Sequence, residues 1–502
     1  MDKKIYITTP LYYVNDEPHI GHAYTTILAD VISKIYKVQG KDVYFLTGTD
    51  EHGQKVQEAA EKRGVSPQDH VDEYVERFKS TWKNLNIQYT DFIRTTDKRH
   101  VDRVKEVLLL LKEKGDIYID EYEGLYSVSE ERFITEKEAE EGNFREIKKL
   151  KEKNYFFKMS KYQKKLIKHI NLNENFIKPK SRRNEILSFL KNNLNDLCIS
   201  RPKSRLSWGI ELPFDKDYVS YVWFDALLNY ITAIGWNCDE NKFNHYWPAD
   251  YHLMGKDIIT THAVYWPTML MACNIALPKT IFAHGWWLIN DEKMSKSTGN
   301  VIKPLDLVEE YGVDSLRYYL MRNMVIGQDS SYSFESFKER YNADLANDYG
   351  NLVNRIFILI KKNFENKIPF PGDFKNHDLE TVANSKKLSK IIIKNMNTLK
   401  IHDAIENTLN ILRSINRYLE LKKPWKTVKD DNNQKSDAAT TLYIAAELLR
   451  ISSCFLYPVM PDKTSSIIEA LDSKSLNFNT TFGILKSNNQ LKTISNIFPR
   501  ID

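Results

Sequence analysis

The 502-residue sequence predicts an α/β protein in which a parallel β-sheet domain, interrupted by an insertion, precedes an α-helical domain. Three observations support this prediction. The first 50 residues have the pattern of a strand, a helix and a second strand. The same kinds of pattern return between residues 218 and 285. From Glu335 onward, apolar residues recur at helical spacing.

The front of the chain has the pattern of a βαβ unit. Residues 4–8 and 43–46 are rich in β-branched and aromatic side chains and predict strands. Between them, residues 22–39 predict a helix, because apolar side chains recur every three to four positions, and Gly40 follows as a stop signal. A right-handed crossover would make the two strands parallel, and ligands bind beyond the carboxyl ends of such strands.

A second α/β part contributes to the same predicted sheet. Residues 219–224 lead into a helix, 251–254 and 281–283 predict strands, and 257–273 predict a helix between those strands. Residues 117–216 are rich in lysine and glutamate and contain only short strand-like runs. They predict an insertion between the two halves of the sheet.

The last third of the chain predicts a set of helices. Apolar residues at helical spacing mark residues 337–362, 386–401, 404–421 and 438–456. Proline, glycine and polar runs separate these segments.

Composition places few limits on function. The net charge of +5 and the pI of about 8.6 favour an anionic partner only weakly. The N-terminal residues lack the apolar region and cleavage site of a secretory signal, and no run approaches the ~18 apolar residues of a membrane span. The four cysteines include no CxxC pair, so a cytoplasmic protein without membrane contact is expected.

The segment HIGH, residues 19–22, lies where the first strand passes into the first helix. Backbone N–H groups at a helix start favour an anion, and Gly21 lets a phosphate or a flat base approach the backbone. His19 and His22 can each donate a hydrogen bond to phosphate oxygens. Two other interpretations remain, a metal-binding pair and two ordinary polar histidines, but no third ligand stands at a telling spacing.

A second segment, KMSKS at residues 293–297, follows a predicted hairpin. A loop of lysines and serines is by itself most often a solvated turn. Combined with a βαβ unit that opens on HIGH, Lys293 and Lys296 instead indicate cations placed against a triphosphate, since nucleotidyl transfer depends on stabilising developing charge.

The two motifs together resemble the signature of class I aminoacyl-tRNA synthetases. Four further segments, TPLYYVN (9–15), TGTDEHG (47–53), VWFDA (222–226) and GKDI (255–258), resemble those of methionyl-tRNA synthetases. The resemblance covers nearly the whole chain. It implies a Rossmann-like catalytic domain, an α-helical anticodon-binding domain, and a two-step reaction that activates methionine with Mg²⁺-ATP and transfers it to tRNA(Met), initiator and elongator.

The resemblance also implies roles for individual residues. The catalytic residues would be His19, His22, Lys293 and Lys296, and ATP would be bound by these four together with Gly21, Lys256, Asp257 and Ser295. Asp50 would take the methionine ammonium. The methionine slot would be lined by Leu11, Tyr13, Trp223, Ala226, Leu227, Tyr230, Ile258 and His262. Aromatic rings suit a polarizable thioether, although Trp223 and Tyr230 could equally be plain core residues.

A tRNA-binding stripe is predicted in the helical domain. Asn347, Asn351 and Arg355 recur every four residues, which places them near one face of a helix. Amides and a guanidinium can read unstacked bases, and Trp425 could stack on one. These residues could equally serve packing. The resemblance implies recognition of the CAU anticodon.

The insertion departs from the family pattern. Many members of the family carry one or two zinc knuckles there, whereas Ser127 and Glu130 stand in place of a Cys-x-x-Cys pair and no cysteine occurs from residue 117 to 197. We therefore expect no structural zinc. Some relatives carry a further C-terminal tRNA-binding module that dimerises, and because none is recognised after about residue 460, a monomer is expected. The expected domain ranges are 1–116 and 217–285 for the two catalytic halves, 117–216 for the insertion, 286–340 for the KMSKS region, and 341–502 for the anticodon-binding domain.

Two other functions remain open from the sequence. An adenylate-forming nucleotidyltransferase or amino-acid ligase that does not act on tRNA would share the histidine motif and a phosphate loop. A non-catalytic RNA-binding protein is the third possibility. The long helical C-terminal third argues against the former, and the intact HIGH and KMSKS motifs argue against the latter.

Overall fold

The computed structural model describes most of the chain, in two compact units. The described residues are 4–127, 132–134, 139, 147–289, 292–293, 302–430, 436–471 and 481–501. The first unit comprises Met1–Pro18, Asp42–Lys83 and Gln88–His284, and the second comprises His19–Lys41, Asn84–Ile87 and Gly285–Asp502.

The first unit is built on a seven-stranded sheet whose pairings are all parallel. The strand order is Tyr12–Tyr13, Asp42–Asp50, Lys4–Thr8, Tyr251–Gly255, Ile281–His284 and Ile177–Lys178, and Asp91–Arg94 also pairs with Asp42–Asp50. This arrangement confirms the predicted parallel sheet and the predicted strands at residues 4–8, 43–46, 251–254 and 281–283.

One strand of this sheet comes from an unexpected place. Ile177–Lys178 lies inside the range predicted as an insertion, yet it pairs in parallel with Ile281–His284. The sheet is therefore assembled from three stretches of chain rather than two. A two-residue strand carries too little periodicity to be recognised in a sequence.

The rest of residues 117–216 forms antiparallel structure. Ile117–Ser127 and Ile147–Phe157 pair along eleven residues each, where only short strands were predicted. With Arg132–Ile134 and Leu197–Cys198 they form one sheet, and Ser200–Pro202, Glu211–Leu212 and Asp215–Ser220 form another. The prediction of short strands was wrong because lysines and glutamates occupy much of these strands, and such residues are depleted in strands generally.

Helices cover the parallel sheet and form the core of the first unit with it. They are Gln54–Arg63, Pro67–Asn84, Lys98–Glu113, Gln163–Leu172, Lys180–Phe189, Val222–Leu227, Asn229–Thr232, Glu240–Tyr246 and Trp266–Ala272. Leu46 on the sheet, Leu108 on a helix and Trp266 on another belong to one buried cluster.

The second unit is mainly helical. Its helices are Ile20–Val38, Pro304–Tyr311, Val313–Asn323, Phe334–Arg340, Asn351–Asn363, Asn376–Asn397, Ile401–Lys422, Pro424–Asp430, Asp437–Leu456 and Pro461–Ala470, with a π-helical stretch at Tyr341–Gly350. Trp287–Ile289 pairs with Glu292–Lys293 as the predicted hairpin and with Ser330–Tyr332 in parallel. The predicted helix 386–401 in fact begins at Asn376, where Asp378 caps the first turn, and ends at Asn397 before Leu399 adopts a positive φ of 59°.

Within the described residues, one helix is long and apolar enough to cross a membrane. This helix, Asp437–Leu456, is entirely buried in the second unit. It is therefore best explained as a core helix, since the central helix of a helical domain is apolar on all sides.

A buried ion network joins three parts of the second unit. Arg317, which is completely buried, donates from Nη2 to Asp30 Oδ2 at 2.6 Å, and Asp30 also accepts from Lys34. The same guanidinium donates to the carbonyl oxygens of Leu85 at 3.1 Å and Val459 at 2.9 Å. The first helix is thus held to two distant segments through one side chain.

Candidate functional site

Five of the nine predicted methionine-slot residues lie at or just after the carboxyl ends of parallel strands, where ligands bind in such sheets, and the other four lie on two helices that follow the antiparallel strand Asp215–Ser220. Asp50 is the last residue of the strand Asp42–Asp50, is 2% exposed, and lies opposite Tyr13 in the strand register. Ile258 and His262 follow the strand Tyr251–Gly255. The remaining slot residues are Leu11 beside Tyr13, Trp223, Ala226 and Leu227 on one short helix, and Tyr230 on the next.

Four of these side chains form a continuous series of ring contacts. The rings of Tyr13 and Trp223 meet edge to face at 6.4 Å, and Trp223 meets His262 at 6.4 Å in the same way. Tyr230 hydrogen-bonds His262 through its hydroxyl at 2.8 Å. Leu11 and Ile258 pack on the same apolar cluster, and Ala226 and Leu227 are buried on the helix of Trp223. The structure therefore brings the aromatic part of the predicted slot together.

The protonation of His262 follows from its two hydrogen bonds. The carbonyl oxygen of Ile258 can only accept, so Nδ1 of His262 donates to it at 3.0 Å. In the neutral ring Nε2 then accepts from the Tyr230 hydroxyl. Burial lowers the pKa of His262 to about 4, more strongly than the hydrogen bond to Ile258 raises it. The predicted slot therefore has an uncharged side chain here at neutral pH, as an apolar thioether would favour.

His262 should make stability depend on pH. Its folded-state pKa of about 4 lies below its ordinary value of 6.5. Between these values the unfolded chain binds a proton that the folded chain does not, so stability falls as pH decreases through this window. Replacing His262 with glutamine should reduce that slope by at most about 1.4 kcal/mol per pH unit. Urea midpoints at pH 7 and pH 5 measure it, and an identical loss in wild type and variant would contradict the assignment.

Two acidic neighbours at the end of this strand have different surroundings. The carboxylate of Glu51, which is fully buried, accepts from Arg94 Nε at 2.7 Å and from Arg94 Nη2 at 2.9 Å. Glu51 is therefore committed to a bidentate ion pair. Asp50 is the adjacent carboxylate that the sequence assigns to the methionine ammonium, and this assignment remains a prediction.

Sequence reasoning missed a buried acid between two histidines beside the slot. Asp225 Oδ2 contacts His52 Nδ1 at 2.6 Å, and Asp225 Oδ1 contacts His100 Nε2 at 2.7 Å. The signal was available in part, because His52 lies in TGTDEHG and Asp225 lies in VWFDA. His100, 125 residues from Asp225, lies in neither motif.

The HIGH segment forms the start of the first helix in the second unit. His19 is the N-cap, and its Nδ1 accepts from the Gly21 N–H at 3.1 Å. His22 Nδ1 accepts from the His19 N–H at 3.4 Å, and the two rings stack with centroids 3.8 Å apart. Because both Nδ1 atoms accept, each neutral ring carries its proton on Nε2 and presents a donor there, as binding of phosphate oxygens requires.

Only some of the other residues predicted to bind the nucleotide lie within the described part of the chain. Lys256 and Asp257 lie in the 3₁₀ turn directly after the strand Tyr251–Gly255. A Cβ at Gly255 would stand 2.5 Å from the Asp257 carboxylate, so a larger residue there would displace this side chain. Lys293 lies on the strand Glu292–Lys293. Ser295, Lys296 and also Glu130 lie outside the described residues.

The described side chains offer no set of zinc ligands. In the part of the chain that the structure describes, no group of three or more His, Cys, Asp or Glu side chains could hold a metal ion. Ser127 is buried and its hydroxyl is not a usual zinc ligand. The described residues do not fit a zinc site, and the absence of zinc in this protein stays a prediction.

The predicted tRNA residues Arg355 and Trp425 meet in the second unit. The Arg355 guanidinium lies over the Trp425 indole, 4.4 Å from the ring centroid, and Nη2 donates to Glu420 Oε1 at 2.6 Å. Asn351 begins the helix that carries Arg355, and Asn347 lies in the π-helical stretch before it. Both asparagines are exposed, whereas Arg355 is half-buried.

Comparison with known proteins agrees with this geometry. A family model described as tRNA synthetases class I (M) matches residues 5–143 and 141–357, and one described as the anticodon binding domain of methionyl tRNA ligase matches 368–502. A methionine--tRNA ligase from Caldanaerobacter subterraneus is 42% identical over 510 residues, covering 100% of this chain and 80% of the relative. One from Clostridium acetobutylicum is 44% identical over 511 residues, covering 100% and 78%.

A solved structure extends the similarity to three dimensions. The Mycobacterium tuberculosis methionyl-tRNA synthetase in complex with methionyl-adenylate superposes with a TM-score of 0.95 at 39% identity, covering 100% of both chains. The family models together span almost the whole chain, and the relatives match it from end to end. The chain therefore belongs to the methionyl-tRNA synthetases, a family of the class I tRNA synthetases.

Proposed function

We propose that the chain activates methionine with ATP, releasing pyrophosphate, and transfers the methionyl group to the 3′ end of tRNA(Met), initiator and elongator. Methionine activation and tRNA charging are the activity of the family to which it belongs. The observation that carries the substrate assignment is the slot formed by Tyr13, Trp223, Tyr230 and neutral His262. Aromatic rings and an uncharged imidazole favour a thioether over a charged or strongly polar side chain.

In the first step, a methionine carboxylate oxygen attacks the α-phosphorus of ATP, and the bond to the bridging oxygen of pyrophosphate breaks. Asp50 pairs with the methionine ammonium and so aligns the attacking carboxylate. The Nε2–H groups of His19 and His22 donate to phosphate oxygens as negative charge develops. Magnesium arrives with the ATP phosphates as part of the substrate.

The remaining nucleotide residues follow the family assignment. Lys293 and Lys296 neutralise the phosphates of the departing pyrophosphate, with Ser295 in the same loop. Gly21 permits close approach of ATP to the backbone, and Lys256 and Asp257 act on the nucleotide side. These roles need no covalent group from the protein, because positioning and charge supply the rate enhancement.

In the second step, a hydroxyl of the terminal ribose attacks the carbonyl carbon of methionyl-adenylate, and AMP leaves. The helical C-terminal part recognises the anticodon, which lies at the opposite end of the tRNA from the terminal ribose. Asn347, Asn351 and Arg355 read bases of the CAU anticodon by hydrogen bonds, while Trp425 stacks on an unstacked base. The exposed asparagines and the contact between Arg355 and Trp425 support this assignment.

Replacing Trp425 with alanine should weaken tRNA binding and leave adenylate formation intact. Loss of base stacking costs about 1–3 kcal/mol, roughly a five- to 150-fold rise in KM for tRNA. Charging kinetics measure this rise, and ATP–pyrophosphate exchange without tRNA serves as the internal reference. Leu421, 57% exposed near the end of the preceding helix, provides the matched control as Leu421→Ala. Equal damage to both reactions would assign Trp425 a folding role.

A direct test of the tRNA assignment is charging of transcripts that differ only in the anticodon. Transcripts of initiator and elongator tRNA(Met) with CAU should both accept methionine, and the same bodies carrying GAU should not. Exchange with methionine but no charging of any transcript would instead favour an adenylate-forming ligase that does not act on tRNA.

We also propose that the protein is a cytoplasmic monomer without structural zinc. The insertion sheet then derives its stability from backbone pairing such as the eleven-residue ladder between Ile117–Ser127 and Ile147–Phe157. Elemental analysis of the purified chain, expressed with zinc in the medium, should find less than a stoichiometric amount. One tightly bound zinc per chain would overturn this proposal.

A further inference from the structure

We propose that Asp225, held between His52 and His100, is a positioning residue that fixes the methionine slot. It ties the short helix that carries Trp223 to the segment that directly follows Asp50. The proposal rests on the proposed function, and it concerns three residues to which neither the sequence analysis nor the reaction above gives a role.

The network joins four segments of the first unit. His52 follows the strand Asp42–Asp50, 173 residues before Asp225. His100 lies on the helix Lys98–Glu113. His100 Nδ1 also contacts Thr232 Oγ1 at 2.9 Å, on the helix after that of Asp225. Asp225 and His100 are completely buried and His52 is 5% exposed, so water does not compete for these bonds.

The charge state follows from the contacts. Burial raises the pKa of Asp225, but the charges and hydrogen bonds of His52 and His100 outweigh it and hold that pKa below its usual value. Asp225 is therefore ionised and can only accept. His52 donates from Nδ1 and His100 donates from Nε2, so each carboxylate oxygen has a donor.

The helix that carries Asp225 is too short to be stable without tertiary contacts. Val222–Leu227 is six residues long, less than two turns, and helices of this length depend on tertiary contacts. The ion contacts of Asp225 therefore supply a directional constraint that apolar packing alone does not.

The contacts of Asp225 link the residues assigned to the methionine ammonium with those assigned to its side chain. Trp223, two residues before Asp225, contacts Tyr13 and His262 and belongs to the wall that faces the methionine side chain. Asp50, two residues before His52, is assigned to the ammonium. A bond from His52 to Asp225 thus sets the separation between the ammonium-binding carboxylate and the side-chain wall. A displacement of about 1 Å in the groups that position a substrate can lower the rate of reaction about 100-fold.

The alternative is a purely structural role, in which the buried acid contributes stability alone. A matched control separates the two. Asp116 is another acid of the first unit that is 1% exposed, and it accepts from Lys161 at 2.6 Å and from the Tyr162 hydroxyl at 2.7 Å. Asp225→Asn and Asp116→Asn therefore each remove one buried charge with two donors, but only the first touches the slot helix.

The experiment measures methionine-dependent ATP–pyrophosphate exchange by the full chain and calorimetric binding of methionine alone. Asp225→Asn should raise KM and Kd for methionine at least tenfold, with KM for ATP at saturating methionine within twofold of wild type. Asp116→Asn should leave the methionine constants within twofold. If the Asp225 variant does not fold, His52→Leu provides a second test, because it leaves the bond between Asp225 and His100 intact. It should likewise raise KM and Kd for methionine while KM for ATP stays near that of wild type.

A conservative variant gives the rescue. The amide N–H of asparagine can replace the Nδ1–H donor of histidine, so His52→Asn should restore most of the methionine affinity that His52→Leu loses. If the Asp225 and His52 variants lowered stability but kept KM and Kd for methionine as close to wild type as Asp116→Asn does, this proposal would be overturned and the proposed function would stand. A wild-type chain without methionine-dependent exchange would overturn the proposed function and this proposal with it.

Discussion

Replacing Asp50 with asparagine should nearly abolish methionine activation. The methionine ammonium would enter a site that is 2% exposed without its counter-charge. Removing one partner of such a pair costs about 2–5 kcal/mol, roughly 30- to 5,000-fold in kcat/KM for methionine. Steady-state ATP–pyrophosphate exchange measures this loss, and KM for ATP should change little because Asp50 makes no assigned contact with the nucleotide.

A control for this variant lies on the same strand. Asp42 is the first residue of Asp42–Asp50, and its half-exposed side chain contacts His245. Asp42→Asn removes an equal charge at the opposite end of the strand and should leave exchange unchanged. If Asp50→Asn retained wild-type kcat/KM for methionine, the ammonium would be bound elsewhere and the assignment of the slot would be wrong.

Replacing Arg317 with methionine should destabilise the second unit by about 3–5 kcal/mol, because it leaves a buried carboxylate without its guanidinium. Asp30 would lose the guanidinium, and the carbonyl oxygens of Leu85 and Val459 would lose the same donor. Urea unfolding followed by circular dichroism measures the change as a lower midpoint. Activity at low temperature should persist, since Arg317 has no role in the reaction.

Arg340 serves as the matched control for Arg317. It forms an i,i+4 ion pair with Asp344 at 3.5 Å, and its side chain is 35% exposed. Asp344 is buried, but it also accepts from the Tyr318 hydroxyl at 2.8 Å and from Arg413 at 3.2 Å, so Arg340→Met leaves this carboxylate with donors and should shift the midpoint little. Equal midpoints for the two variants would show that the buried network does not hold the first helix to the rest of the unit.

The parts of the fold that the sequence predicts well are those with strong local periodicity. The helices Ile20–Val38 and Ile401–Lys422 follow from the spacing of their apolar residues, and the strand Lys4–Thr8 follows from its run of β-branched and aromatic residues. The long strands of the insertion and the edge strand Ile177–Lys178 do not, because their partners, and not their composition, determine their structure.

The sequence likewise predicts some features of the candidate site and not others. Resemblance predicts the slot residues, but it does not reveal that Tyr230 and His262 share a hydrogen bond or that Arg355 lies over Trp425. Buried polar networks are harder still. Arg317 and Asp30 are 287 residues apart, and nothing local in either segment predicts that they meet. The roles of the individual residues in catalysis and anticodon reading remain predictions that the variants above test.

The central claim is that this chain activates methionine, and one measurement tests it most directly. ATP–pyrophosphate exchange should be assayed with the purified chain in a buffer that contains Mg²⁺ and has been freed of zinc, with each of the twenty amino acids in turn. Exchange with methionine alone is the predicted result, and it would establish the adenylate step and its substrate together. Exchange with a different amino acid, or with none, would contradict the account.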